Sequence, residues 1–475
     1  MLLSNVLKNI KEKSKLNLKK FNPEIKGIDC HSRYISKKFI FVAIKGFNND
    51  GHNYIKDAIK NGAILIIIEK KNLRLNLAKK KIHFIFTKNS KFFLSKISKN
   101  FYKNQPKKIL AVTGTNGKTS VAFIASEIWK NCNYKYASLG TLGLISNKFK
   151  KKLNLTTENS IELHKILSKL AKKRINKVCC EASSHGLAQY RLDGINLDVA
   201  AFTNISQDHY DYHKNFKNYF NAKMRLFSEI LKKNGVAIIN SDTAESKKII
   251  NLCKLKKKKV FTYGYNSNDL KLICYYQENK FQKVMIRYKK KFFEYKIPLI
   301  GDFQVYNSLC AICLVIFSGI SISKCLKSIK KTTQIPGRLE NIKIPKKIKK
   351  NISIFVDYAH TPDALKKALL ILKNNSKYLS VVFGCGGDRD RKKRSLMGKI
   401  AHNFADNVYI TDDNPRNESP KKIRKEIMSK CPNAIEIDNR YLAIKQAINS
   451  LEDGSTLLIT GKGHEDYQIV GKKNL

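Results

Sequence analysis

Residues 113–120 read Thr113-Gly114-Thr115-Asn116-Gly117-Lys118-Thr119-Ser120, directly behind the apolar run Ile109-Leu110-Ala111-Val112. A buried strand that empties into a glycine loop and then a helix makes a cradle for phosphate. Gly114 and Gly117 let the backbone curl so that successive N–H groups converge, and the helix opening at Thr119 adds the positive end of its dipole. Lys118 then reaches the β- and γ-phosphates, and the Thr119 hydroxyl can hold Mg²⁺. The spacing departs from the common phosphate loop, since Val112 stands where that pattern has its first glycine. The stretch predicts an ATP site at the mouth of an α/β sheet.

The same rhythm extends on both sides. Before the loop, residues 1 to about 100 predict short strands at Phe39–Ile44, Ile64–Glu69 and His83–Thr87, with a lysine-rich amphipathic helix over Met1–Lys20. From Pro106 onward, strands at Ile109–Gly114, Lys177–Glu181, Val199–Asn204 and Val236–Asn240 alternate with helical stretches, as in a mostly parallel sheet. Residues 259–300 read as hairpins and 303–330 as one helix. The turn Pro336-Gly337-Arg338 marks a boundary, after which strands at Ile352–Asp357, Leu379–Gly384, Asn407–Thr411 and Thr456–Thr460 build a second doubly wound unit. With 475 residues, three domains are expected, at 1–104, 105–335 and 336–475.

Composition narrows the class. A formal net charge of +55 raises a nucleic-acid surface as one reading. The lysines, however, are scattered pairs and triplets such as Lys172-Lys173 and Lys289-Lys290-Lys291, without aromatic platforms between them. A lysine-biased composition that helps attract anionic substrates is the preferred reading. Eleven cysteines show no disulfide framework; Cys310 and Cys313, like Cys179 and Cys180, lie in apolar stretches and read as small core residues. No run approaches the roughly 18 apolar residues of a membrane span, so a cytoplasmic protein without membrane insertion is expected.

Chemistry-bearing residues gather where strands end, the place at which open α/β sheets put their sites. After Lys177–Cys180 come Glu181, Ser183, Ser184 and His185; after Val199–Thr203 come Asn204 and then Asp208-His209-Tyr210-Asp211-Tyr212-His213. Lys223 follows on a helix expected from about Phe216 to Leu231. Each alone also reads as a cap or a solvated residue. Beside a phosphate loop they supply the oxygen and imidazole ligands that Mg²⁺–ATP chemistry requires.

The ordered series TGTNGKTS, EASSHGLAQYR, FTNISQDHYDYH, Ala222-Lys223, PGRLE, VDYAHTPDAL, GCGGDRDRKKR, DDNPR and GKGHEDYQ resembles the Mur ligases, which form amide bonds with ATP in peptidoglycan precursor synthesis. The likeness runs from about residue 28 to 471 and is strongest to the members that add meso-2,6-diaminopimelate. It implies three domains: an N-terminal uridine-nucleotide-binding α/β domain, a central ATPase-like domain and a C-terminal Rossmann-like domain. It implies ATP on Gly114, Thr115, Asn116, Gly117, Lys118, Thr119 and Ser120, with Asn307 and Arg338 beside the nucleotide and Asp357, Tyr358 and His360 closing over it. Thr119, Glu181, His209 and Lys223 would hold two Mg²⁺, Lys223 as a carbamate, and Lys118, Lys223 and His209 would be the catalytic set. Cys30, Ser32, Phe47, Asn48 and Asn49 would hold the uridine nucleotide, and Thr156, Thr157, Ser183, Gln189 and Arg191 its muramoyl-dipeptide.

Acceptor choice is expected from Asp413-Asn414-Pro415-Arg416, with Arg389, Gly461 and Glu465. Diaminopimelate differs from lysine by a distal carboxylate, which a guanidinium grips with two parallel hydrogen bonds. The resemblance therefore implies ATP-driven attachment of meso-diaminopimelate to UDP-N-acetylmuramoyl-L-alanyl-D-glutamate through an acyl phosphate, by a monomer. A lysine-adding Mur ligase, folylpolyglutamate synthase and a basic phosphate-loop protein that binds nucleic acid are the alternatives. The chain also stops at Leu475, where family members continue through a further strand and helix, so a decayed ligase is another.

Overall fold

A computed structural model describes residues 1–475 apart from 12–15, 47–48, 70–81, 279–280, 346–347, 349, 375, 472 and 475. The chain forms three α/β units, each around its own sheet. In the first, four parallel strands lie in the order Gly27–Asp29, Phe39–Val42, Ala63–Ile68 and His83–Phe86. Their Ile, Phe and Val side chains feed a core on each face, one around Ile40 and Ile67, the other around Phe41 and Ile66. Such two-sided burial is why these strands are continuous apolar runs.

The central unit is an eleven-stranded sheet. Lys108–Thr113 lies at its middle, parallel to Lys177–Glu181 on one side and to Leu197–Phe202 on the other. Helix Lys118–Asn131 covers one face together with Asp302–Phe317 and buries Trp129, while Ser160–Lys172 covers the other. The third unit has six strands in the order Glu340–Ile342, Ser353–Val356, Ser455–Ile459, Tyr378–Phe383, Asn407–Ile410 and Ile435–Glu436. All of these are parallel except the first, which is antiparallel.

Three expectations need correction. The helix expected over Met1–Lys20 is one turn, Leu3–Val6. Pairing with residues 23–25 takes over, through Leu3 N–H to the Pro23 carbonyl and Ile25 N–H to that of Met1, and Asn9 turns left-handed at φ +60°. The helix expected over 303–330 is two, Asp302–Phe317 and Ile322–Ile329, because Gly319 at φ +95° ends the first. Within 259–300, Lys259–Gly264 is a parallel strand of the main sheet; only 270–297 forms the antiparallel meander. The hairpin of Tyr136–Gly140 with Gly143–Ser146 turns through Thr141-Leu142, without an Asn or Pro turn signal.

Candidate active site

The loop after Lys108–Thr113 is packed too tightly for side chains at its glycines. A Cβ on Gly114 would stand 1.9 Å from Thr203 Oγ1, and one on Gly117, itself at φ +87°, 2.4 Å from Asn307 Oδ1. Thr203 and Asn204, at the end of the adjoining strand, fix the loop: Thr203 Oγ1–H donates to the Asn116 carbonyl (2.7 Å), and Asn116 N–H donates to Asn204 Oδ1 (2.9 Å). The loop opens into a cavity of about 470 Å³ between the second and third units.

Two lysines converge at its floor. Lys118 Nζ donates to the carbonyls of Gly114 (2.9 Å) and Thr115 (2.7 Å), and Lys223 Nζ donates to the same Gly114 oxygen (2.7 Å). Lys223 is fully buried against the Tyr219 ring. Burial, and then the charge of Lys118, push its pKa well below the ordinary lysine range. Tyr219 also bonds Thr115 Oγ1 through its hydroxyl (2.9 Å), tying the Lys223 helix to the phosphate loop.

The opposite wall is acidic. Glu181 accepts from Thr119 Oγ1 (3.0 Å), Thr141 N–H (2.8 Å) and Thr141 Oγ1 (3.2 Å). His209, at φ +55°, has Nε2 3.2 Å from Asp208 Oδ2. Desolvation depresses the imidazole to about 3 despite Asp208, so the ring is neutral at physiological pH. Burial works against ionising Asp208, but His209, His360, Lys393 and Lys118 outweigh it and hold the carboxyl at about 2.

The donor set suits a hard cation: a carboxylate, two hydroxyls and a neutral imidazole stand around the phosphate loop. Among the described residues no group of three or more His, Cys, Asp and Glu is assembled for a metal, so hydroxyls and further oxygens would complete the set. Lys223 as an ammonium only donates. As a carbamate it would add two oxygens, and the downward shift of its pKa favours the neutral amine that reacts with carbon dioxide.

The structure brings Thr115, Asn116, Gly117, Lys118, Thr119, Ser120, Thr156, Glu181, Ser183, His209, Lys223, Asn307 and Arg338 to the cavity wall. Asp357, Tyr358 and His360 join them from the third unit. Gly114 lies behind, presenting its carbonyl to the lysines. Thr157, Gln189 and Arg191 form a neighbouring network in which Arg191 donates to the Thr157 carbonyl (2.7 Å) and to Gln189 Oε1 (2.7 Å). Cys30, Ser32 and Asn49 lie away from the cavity, in loops that leave the carboxyl ends of two adjacent strands of the first sheet. Phe47 and Asn48 lie outside the described residues. Asp208, named from sequence among the strand-end residues, also lines the cavity, whereas Tyr219 and Thr141 were not assigned from sequence. Tyr219 had a signal, since it lies one helical turn before Lys223 on the same face.

A second cluster stands on the third sheet, where four adjacent strands release loops from their carboxyl ends. Arg416, at φ +52°, donates through Nη1 to the Gly387 carbonyl (2.7 Å) and through its N–H to that of Ile469 (3.0 Å). Asn414 Oδ1 accepts from Lys462 Nζ (2.9 Å) and Ile469 N–H (2.9 Å). Asp413 Oδ2 lies 2.9 Å from where a Cβ on Gly461 would sit, and Pro415 presses its carbonyl on Gly387. Burial and the charge of Arg389 both lower the Arg416 pKa. Glu465 accepts from the Tyr358 hydroxyl (3.1 Å), the Arg338 guanidinium lies 4.4 Å from the Tyr358 ring centre, and Arg338 Nη2 donates to Thr119 Oγ1 (3.1 Å). A continuous chain of contacts thus joins the two clusters.

Comparison with known proteins matches three family models along the chain: Mur ligase family, catalytic domain (24–102), Mur ligase middle domain (112–315) and Mur ligase, glutamate ligase domain (337–463). The chain is 42% identical to the UDP-N-acetylmuramoyl-L-alanyl-D-glutamate–2,6-diaminopimelate ligase of Rickettsia conorii, over 95% of this chain and 93% of that one. It is 40% identical to the ligase of the same name from Brucella melitensis, over 95% and 92%. A solved structure of such a ligase superposes with a TM-score of 0.67 at 31% identity, covering 95% of this chain and 92% of that one.

Proposed function

The chain belongs to the Mur ligase family, and from that premise we propose that it is an ATP-dependent ligase adding meso-2,6-diaminopimelate to UDP-N-acetylmuramoyl-L-alanyl-D-glutamate. One observation carries the reading. The phosphate loop and the two-arginine cluster stand on different sheets, yet Arg338, Tyr358 and Glu465 join them across one cleft. A reaction that uses ATP at one end and an amino acid at the other needs that juxtaposition.

In the first step the γ-phosphoryl group passes to the side-chain carboxylate of the D-glutamyl residue, giving an acyl phosphate and ADP. Lys118 swings from its carbonyl contacts onto the transferring phosphoryl oxygens and balances their charge. Thr119, Glu181, His209 and a carbamate on Lys223 would hold Mg²⁺, which would supply charge neutralisation at the phosphates. In the second step the α-amine at the L-centre attacks the acyl carbon, the C–N bond forms, and phosphate leaves with the bridging oxygen. Arg389 and Arg416 grip the distal carboxylate while Glu465 balances the distal ammonium. Thr156, Thr157, Ser183, Gln189 and Arg191 orient the dipeptide, and the first unit holds the uridine nucleotide. The protein's work is to align two anionic reactants that repel in water.

The test is phosphate release with ATP, Mg²⁺ and UDP-N-acetylmuramoyl-dipeptide, comparing meso-diaminopimelate with L-lysine. Release with diaminopimelate alone, falling about 100-fold or more in Arg416→Ala as a lost bidentate charge contact predicts, supports the reading. Equal use of lysine would leave a ligase without this acceptor preference.

A further inference from the structure

Arg389 and Arg416 come from different loops, and their positive charges oppose the approach that a shared carboxylate would require. Something else must hold the loops together. Beneath them lies Arg394, wholly excluded from solvent on the helix Lys392–Phe404. Its guanidinium donates through Nη1 to Glu418 Oε2 (2.9 Å) and Glu426 Oε2 (2.8 Å), and through Nη2 to Glu418 Oε1 (2.9 Å) and the Gly386 carbonyl (3.2 Å). The Gly386 contact fixes the loop that carries Arg389; the fork on Glu418 fixes the turn that carries Arg416, two residues away. Glu418 Oε1 also accepts the Asp388 N–H (2.5 Å), and Asp388 in turn accepts from Asn417 Nδ2 (2.8 Å). Apart from the bond to Glu426, on the helix Pro420–Met428, every one of these bonds runs between the two loops or from Arg394 to one of them.

We propose that Arg394 is the positioning residue that sets the separation of Arg389 and Arg416, and so the affinity for an amino acid with a distal carboxylate. The role rests on the reading of those two arginines as the acceptor site. Lysine cannot replace Arg394, because a single ammonium cannot span both oxygens of Glu418 while also holding Gly386. Asn417 adds a second tie from the solvent side, where its loss leaves the core untouched.

The experiment measures KM for meso-diaminopimelate and, separately, KM for ATP in the full-length wild type, Arg394→Lys and Asn417→Ala, with the thermal midpoint of each. The expected result is a KM for diaminopimelate raised about tenfold in Arg394→Lys and severalfold in Asn417→Ala, with KM for ATP unchanged. Should Arg394→Lys fail to fold, Asn417→Ala decides. A KM for diaminopimelate at the wild-type value in folded Arg394→Lys (or, where that variant does not fold, in Asn417→Ala), or a parallel rise in both constants, overturns the proposal and leaves Arg394 a purely structural ion pair. A wild type that releases no phosphate with diaminopimelate overturns the acceptor reading itself, and the positioning role with it.

Discussion

The carbonyl oxygen of Gly114 accepts from two lysines at once, and that crowding distinguishes them. Lys118 is partly exposed to the cavity, whereas Lys223 has no solvent to share its charge. Burial lowers the pKa of both, that of Lys223 further, so Lys223 is the more readily deprotonated of the two, and a neutral amine is the precursor of a carbamate. Lys223→Arg keeps length and charge but forms no carbamate, so turnover should fall about 10²–10³-fold, the loss of one charge-stabilising group. Phosphate release with the fold checked by circular dichroism measures it; retained turnover would remove the carbamate from the mechanism. Lys118 and Thr119 were legible from the spacing of the glycine loop, and the role of Lys223 only through the resemblance to the family; all three line the cavity. Thr141 was not legible, since its importance arises where chain segments 40 residues apart meet, as Thr141 meets Glu181.

At the scale of elements, apolar runs made the buried strands readable to within a few residues, because two-sided burial leaves a strong pattern. Breaks and short pieces were not readable: Gly319 divides one apolar helix into two, and Tyr136–Ser146 turns back without Asn or Pro to announce it. The loop after Tyr378–Phe383 depends on a feature that only close packing reveals. A Cβ on Gly387 would stand 1.9 Å from the Pro415 carbonyl oxygen. Gly387→Ala must push the two acceptor loops apart, costing about 1–3 kcal/mol, typical of forced overpacking. The expected outcome is a thermal midpoint lowered by a few degrees together with weaker use of diaminopimelate. An unchanged midpoint would mean that the loop yields freely.

Across the whole molecule, the first unit docks on the second through helix Ser90–Phe101. Ser95 Oγ donates to the Asp193 carbonyl and Lys99 Nζ to Asn196 Oδ1 (3.4 Å); beside them, within the second unit, Gln105 Nε2 donates to the Gly194 carbonyl (3.1 Å) and the buried His164 Nε2 meets the Asp193 carbonyl (3.2 Å). Burial, reinforced by Lys99 and Lys96, lowers the His164 pKa to about 4, although its bond to Asp193 works in the other direction. An unfolded histidine takes up its proton near pH 6.5, so between there and about 4 the unfolded state binds more protons. Stability is full above pH 6.5 and falls as the pH drops through that window, by about 3 kcal/mol in all for a shift of this size. Thermal melts at pH 7 and pH 4.5 should show His164→Gln losing less than the wild type; equal losses would place the acid sensitivity elsewhere. No helix of the described residues is long and apolar enough to cross a membrane. The separation of the phosphate loop and the acceptor loops onto different sheets has a consequence for inheritance. On the proposed assignment, mutations that retune the choice of amino acid fall on loops that the phosphate loop does not share, and the two are coupled through a short chain of side chains from Arg338 to Glu465. A lineage can therefore try new acceptors one loop at a time while the ATP-using half stays intact, and selection can act on each half alone.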